Sequence, residues 1–263
     1  VRGHYENLRL NDAATEIFRF LWDEFCSWYI ELAKDRLRED AGLASQLTAK
    51  YVLLSVMQSG MRLLHPIMPF ITEEIWHSIK SVFPMDEEVL ITAAFPIADK
   101  AMIDKDINSD MLFVQESITA IRNLRKQLNL APGLEISLVV RYAEDRQQSL
   151  FTRYMAYFKR LAKVSEITGG IGIDKPKAAI GAVVQNLEIF LPLSGLIDLE
   201  SEKARLGKQI EKLSKELAGI SAKLNNANFL AHAKEEVVQK EKEKYTEVNT
   251  KLSLTKDLLS DLQ

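Results

Sequence analysis

Four histidines and one cysteine are the residues of this chain best suited to hold a metal or carry a nucleophile, and their spacing supports neither role. His4, His65, His77 and His232 stand alone, no HExxH pair occurs, and Cys26 has no second thiol with which to build a zinc cluster. His65, directly before Pro66, reads as a structural histidine at a helix end. Thr168-Gly-Gly-Ile-Gly172 has the glycines of a phosphate loop but not its lysine and hydroxyl residue, so it reads as a turn connecting strands. No GxSxG elbow is present. Glu73 and Glu74 are neighbours and diverge by about 100° around a helix, which suits the positive end of a helix dipole better than an acid–base pair. The sequence therefore predicts no catalytic residue, no metal and no self-sufficient active site.

Positive charge offers more. Arg122, Arg125 and Lys126 fall together, as do Arg153, Lys159, Arg160 and Lys163, and such groups can neutralise phosphates or simply form a solvated face. Towards the end of the chain Lys203, Arg205, Lys208, Lys212, Lys215, Lys223, Lys240, Lys242 and Lys244 alternate with Glu202, Glu211, Glu216, Glu241 and Glu243. By spacing alone, that mixture is the pairing and solubility charge of a coiled coil.

The chain has 263 residues, 47% of them apolar, enough for two or three folded domains and too many for disorder throughout. A net charge of -3, from 34 basic against 37 acidic residues, excludes a globally basic nucleic-acid-binding protein, so any such contact must be local. One cysteine rules out an intramolecular disulfide and fits a reducing, cytoplasmic setting. No apolar run is long enough to span a bilayer. The start Val1-Arg2-Gly3-His4 has neither an initiator methionine nor a signal peptide and enters mid-pattern, which is expected of a fragment of a longer protein.

Three regions must position these residues. Residues 1–130 read as a helical bundle. A first helix, from Ala13 to about Arg38, has Asn11 or Asp12 as N-cap and Ile17, Phe18, Leu21, Phe25, Trp28, Tyr29 and Leu32 on its apolar face. A second runs from about Ser45 to Leu64 and stops at the two prolines of His65–Pro69; a third is capped by Thr72, with Glu73 and Glu74 in its first turn. A fourth spans about Ser109 to Leu128. After Ala131-Pro132-Gly133 the period changes, and residues 134–195 read as a small α/β junction: a strand at 135–141, one helix over 147–163, then short strands at 165–168, 179–184 and 187–191. Residues 197–263 carry two heptad seams, Leu199, Leu206, Ile210, Leu213, Leu217, Ile220, Leu224 and then Val238, Tyr245, Val248, Leu252, Leu259, Leu262, separated by a polar break at 225–228. Two such stripes with a short break predict an antiparallel coiled-coil hairpin, so the fold class is mainly α.

Specific strings add to this periodicity. His65-Pro-Ile-Met-Pro-Phe-Ile-Thr-Glu-Glu-Ile-Trp76 resembles a segment of the helical anticodon-binding domain of the class I aminoacyl-tRNA synthetases for valine, leucine and isoleucine. Phe25-Cys-Ser-Trp-Tyr-Ile-Glu31, and Ile121-Arg-Asn-Leu-Arg125 through Asn129-Leu-Ala-Pro-Gly133, resemble other stretches of that domain. Leu191-Pro-Leu-Ser-Gly-Leu-Ile-Asp-Leu-Glu200, Lys223-Leu-Asn-Asn-Ala-Asn-Phe229 and Glu236-Val-Val-Gln-Lys-Glu-Lys-Glu-Lys-Tyr245 resemble the C-terminal coiled coil of the valyl branch. The sequence departs from the family at Ser27, often aspartate there, and at Lys234, often proline.

The resemblance implies the tRNA-holding part of a valine–tRNA ligase. Its parent would use ATP to join valine to its tRNA and would edit mischarged threonine. This chain has no HIGH-like or KMSKS-like motif, so it is expected to bind no cofactor and to be inactive alone, with ATP held in a catalytic domain elsewhere. In the family the bundle approaches the anticodon while the coiled coil lies against the outer corner of the tRNA. On that resemblance Lys223 and Lys244, then Lys240, are the expected tRNA phosphate contacts, followed by Arg122, Arg125 and Lys126. Trp22, Trp28, Tyr29 and Trp76 are expected to pack in the core rather than stack on bases. The expected partner is valine tRNA, with no DNA and no membrane, bound by a monomer. The alternative is a protein interaction or dimerisation module built on the hairpin.

Overall fold

The structure is a computed structural model that describes all residues except 86, 197–198, 227–234 and 262–263, and all their side chains except those of Leu199, Leu258 and Asp261. It is mainly helical with one four-stranded sheet, and it divides into two compact units, Val1–Asp104 and Lys105–Gln263. Among the described residues no helix is long and apolar enough to cross a membrane.

In the first unit a short α1 (Arg2–Glu6) precedes α2 (Leu10–Arg19), which runs on as a π-helical stretch, Phe20–Ile30, into α3 (Glu31–Ala33). Ala13, Ile17, Phe25, Leu32 and Ala33 are buried, as a period of 3.6 requires. The helix starts earlier than the sequence predicts: Arg9 is the N-cap and makes no side-chain cap, so Asn11 and Asp12 lie inside the first turn. The π-helical stretch corrects a second expectation. Bonding to the fifth residue winds the chain wider than the α period, and the face drifts: Trp22 emerges 61% exposed and stacks in parallel on Phe18, which is itself 63% exposed in the last turn of α2, with centroids 6.2 Å apart. Ser27 donates its hydroxyl to the Trp22 carbonyl within that stretch (2.7 Å).

Next come α4 (Leu43–Leu64) and α5 (Pro69–Lys80). Gly60 of α4 faces Leu21 so closely that a Cβ there would sit 2.7 Å from the leucine Cδ2. Met61, Trp76, Ile79 and Leu90 form the core of this unit, with Arg62 over the Trp76 ring at 5.1 Å. Pro69 takes the first helical position of α5, so Thr72 is not its cap: it lies inside the helix, fully buried, its hydroxyl bonded to the Met68 carbonyl and to Nδ1 of His65, both at 2.8 Å. Glu73 is consequently beyond the first turn, and its carboxylate accepts the Leu90 N–H instead (2.9 and 3.2 Å).

The second unit opens with α6 (Lys105–Gln127), followed by β1 (Ile136–Tyr142), α7 (Asp145–Arg153), α8 (Met155–Ala162), β2 (Val164–Ile171), β3 (Ala179–Val184) and β4 (Leu187–Pro192). Strand order is β2-β1-β4-β3, with β1 parallel to β2 and the other neighbours antiparallel. Periodicity groups α6 with the first helices. In the structure it belongs to this unit, and its buried Phe113, Val114, Ile118, Ile121 and Leu124 cover the sheet helped by α7 and α8. Phe151 centres that core, 4.4 Å from the Phe158 ring, 5.7 Å from Tyr142 and 6.1 Å from Phe113. The single helix expected over 147–163 is two, broken at Tyr154 (φ -104°). Thr168 to Ile171 lie within β2 and are not a turn; a Cβ on Gly169 would meet the Val140 carbonyl at 2.3 Å, so glycine lets β2 close on β1.

The last two helices are α9 (Leu199–Leu224) and α10 (Glu235–Asp261), 26 and 27 residues long. They pack together, and because Lys223 meets Glu241 while Glu216 meets Lys244, one helix descends as the other rises: the hairpin is antiparallel. Leu206, Leu217, Ile220, Val248 and Leu252 lie buried or half-buried along the seam. The expected seam position Leu262, the tip residues Ala227, Asn228 and Phe229, His232 and Lys234 fall outside the described residues.

Candidate nucleic-acid interface

The hairpin seam explains where its lysines point. On α10 the positions turned towards α9 are Val238, Glu241, Tyr245, Val248, Leu252, Thr255 and Leu259, a strict alternation of three and four. Two of these are polar and were missed by following leucines and valines alone. Thr255 returns its hydroxyl to the Lys251 carbonyl (2.7 Å). Glu241 accepts from Lys223 across the hairpin (3.3 Å) through one carboxylate oxygen, and its other oxygen is buried without a hydrogen-bond partner.

Lys223 and Lys244 thus stand on the outer flank, 60% and 53% exposed, each tethered to a carboxylate of the opposite helix, Lys223 to Glu241 and Lys244 to Glu216 at 3.1 Å. Lys240 is exposed on the same helix as Lys244. Each of these ammonium groups can reach a passing anion; for Lys244 a phosphate would compete with the partly exposed Glu216 carboxylate, and for Lys223 with the more buried Glu241.

The α6 cations divide differently. Arg125 is buried, and its guanidinium donates to the carbonyls of Leu134 (2.7 Å), Ala131 (2.8 Å) and Pro132 (3.4 Å). Burial also pulls its pKa below the usual arginine value. It pins the turn after α6, and its burial sets it apart from the exposed cations of this helix. Arg122 is exposed and donates Nε–H to the Leu161 carbonyl (2.8 Å), bracing α8. Lys126, one residue on from Arg125, is exposed at the end of α6, where the helix meets the root of the hairpin.

Of the aromatic residues, Trp76 is fully buried and Trp28 and Tyr29 are half-buried, as expected of core packing, whereas Trp22 is not. Among the described residues no group of three or more histidine, cysteine or acidic side chains could hold a metal.

Comparison with known proteins adds two family profiles and a set of relatives. The profile described as the anticodon-binding domain of tRNA ligase matches residues 1–140, and the one described as the valyl tRNA synthetase tRNA binding arm matches residues 198–263. The valine–tRNA ligase of Syntrophotalea carbinolica is 37% identical over 98% of this chain, and that of Geobacter sulfurreducens is 40% identical over 94% of it. The chain spans 28% and 27% of the lengths of these two relatives.

Proposed function

Because this chain belongs to the family of tRNA-ligase anticodon-binding domains and carries the valyl-type tRNA-binding arm, we propose that it is the part of a valine–tRNA ligase that grips valine tRNA. The observation that carries this reading is the antiparallel arm: 26 residues of α9 extend about 39 Å at 1.5 Å per residue, with lysines on the outer flank. The helical first unit would approach the anticodon while the arm lies against the outer corner of the tRNA. Several contacts with one RNA can each be weak, since the first raises the effective concentration of the next. Joining valine to the tRNA with ATP falls, in this reading, to parts of the parent enzyme beyond this chain, which works as a cytoplasmic monomer, needs no cofactor and does not engage DNA.

Lys223, Lys244 and Lys240 are the proposed arm contacts, with Arg122 and Lys126 behind them. Replacing Lys240 by Glu, alone and then together with Lys223→Glu and Lys244→Glu, is expected to weaken tRNA binding stepwise and to flatten its dependence on salt, measured by filter binding with helicity checked by circular dichroism. Unchanged affinity at every salt concentration would refute the arm contacts. Dimerisation that follows protein concentration, with no tRNA retarded on a gel, would favour a protein-docking role for the hairpin.

A further inference from the structure

At the root of the hairpin, the end of α6 and the two arm helices enclose a cleft of about 550 Å³. Its lining includes Lys126 from α6, Arg205 from α9 and Lys251 from α10, with the amides of Asn123, Gln127, Asn129 and Gln209. The three groups, on α6, α9 and α10, lie too far apart in sequence to announce a site. The cleft gathers them from regions covered by two different family profiles, 1–140 and 198–263.

The chemistry of the lining is specific. Two of the cations are partly compensated: Arg205 holds Glu202 through two bonds (2.6 and 2.7 Å) and donates to the Gln209 side-chain oxygen (3.3 Å), which leaves the Gln209 NH2 as that amide's group for a ligand, and Lys251 is paired with Glu247 (2.5 Å). A highly charged free anion would meet those carboxylates as well, so the cleft is not a simple anion trap. Carboxamides both donate and accept, and four of them beside a lysine rim match an alternation of phosphate oxygens, which accept, and ribose hydroxyls, which donate. Leu206 and Thr255, both nearly buried, form an apolar floor against which a sugar ring can rest.

We propose that this cleft seats a ribose–phosphate segment of RNA, with Lys126 neutralising a phosphate and Gln209 and Asn123 reading the 2′-hydroxyl. This rests on the RNA-binding function proposed above and adds a contact at the root of the arm, remote from Lys223. The amides make it selective for RNA over DNA in a way that the lysines of the flank cannot be.

The test uses the whole chain and unfractionated tRNA, with a DNA oligonucleotide of tRNA sequence as the comparison. Lys126→Glu should weaken tRNA binding about tenfold, the loss of one charge-assisted bond, and lower the salt slope by about one. Gln209→Leu should weaken tRNA binding several-fold and leave the weak binding of the DNA unchanged. Asn123→Asp, isosteric and exposed, guards against a folding artefact and should act in the same direction as Lys126→Glu. If all three variants bind tRNA as the parent does while Lys240→Glu binds less, the cleft is not a contact although RNA binding stands. If Gln209→Leu weakens RNA and DNA equally, the 2′-hydroxyl reading is overturned. If the unsubstituted chain retains no tRNA, both proposals fall.

Discussion

Adjacent cations on one helix can have opposite fates, and Arg125 and Lys126 illustrate it. In the sequence both belong to one basic cluster; in the structure Arg125 faces inward and satisfies three carbonyls of the turn that follows α6, while Lys126 opens on the cleft. Replacing Arg125 with Met would leave those carbonyls short of donors, and we expect a loss of about 2 kcal/mol or more in thermal or denaturant unfolding, with the salt slope of tRNA binding unchanged. Lys126→Met should do the reverse. A cation's role was not legible from its type and spacing, because the deciding fact is where the carbonyls of Ala131, Pro132 and Leu134 come to rest, and these belong to the irregular turn. Trp22 fails in the same way: a period of 3.6 places it near the core, and the wider winding of the π-helical stretch carries it out.

At the scale of elements, the hairpin was the most legible part, since a seven-residue repeat specifies pairing faces without reference to anything distant. What the repeat concealed is the polar member at its seam. Glu241 holds a core-facing position, with one oxygen shared with Lys223 and the other without a partner. A carboxylate so placed costs desolvation, and an apolar residue of similar size commonly stabilises such a site. Glu241→Leu is therefore expected to raise the unfolding midpoint of the hairpin and, by releasing Lys223, to tighten tRNA binding at low salt. A lower midpoint would mean that the ion pair is a net stabiliser. The sheet was legible in its strands and not in its order, because the pairing of β1 with both β2 and β4 depends on contacts remote in sequence. Gly169 was misread for a related reason: a glycine that permits close approach looks, in one dimension, like a glycine that permits a turn.

At the scale of the whole molecule, charge is balanced by many small pairs rather than by one centre. Asp40, Glu88 and Glu247 are each held below the ordinary carboxylate value, chiefly by hydrogen bonds from Arg38, Lys80 and Lys251 respectively. A carboxylate whose folded pKa is lowered contributes stability that is present above its unfolded value, 4.5 for glutamate, and that is lost as pH falls through the folded one. Helicity at 222 nm should therefore hold near neutral pH and decline as the pH drops below that value. All three groups are at the surface, so the decline should be shallow and sensitive to salt. The division into Val1–Asp104 and Lys105–Gln263 was the least legible feature, because α6 carries the same apolar period whether its partner is a helix or a sheet. The length of the arm has a mechanical consequence. With about 39 Å between root and far end, a change of roughly 10° in pitch where α9 and α10 meet α6 swings the far end through about 7 Å, more than the reach of a salt bridge. Small repacking at Leu206 or Thr255 would thus be magnified into a different landing point for Lys223, so side chains at the root would govern what the far end can reach.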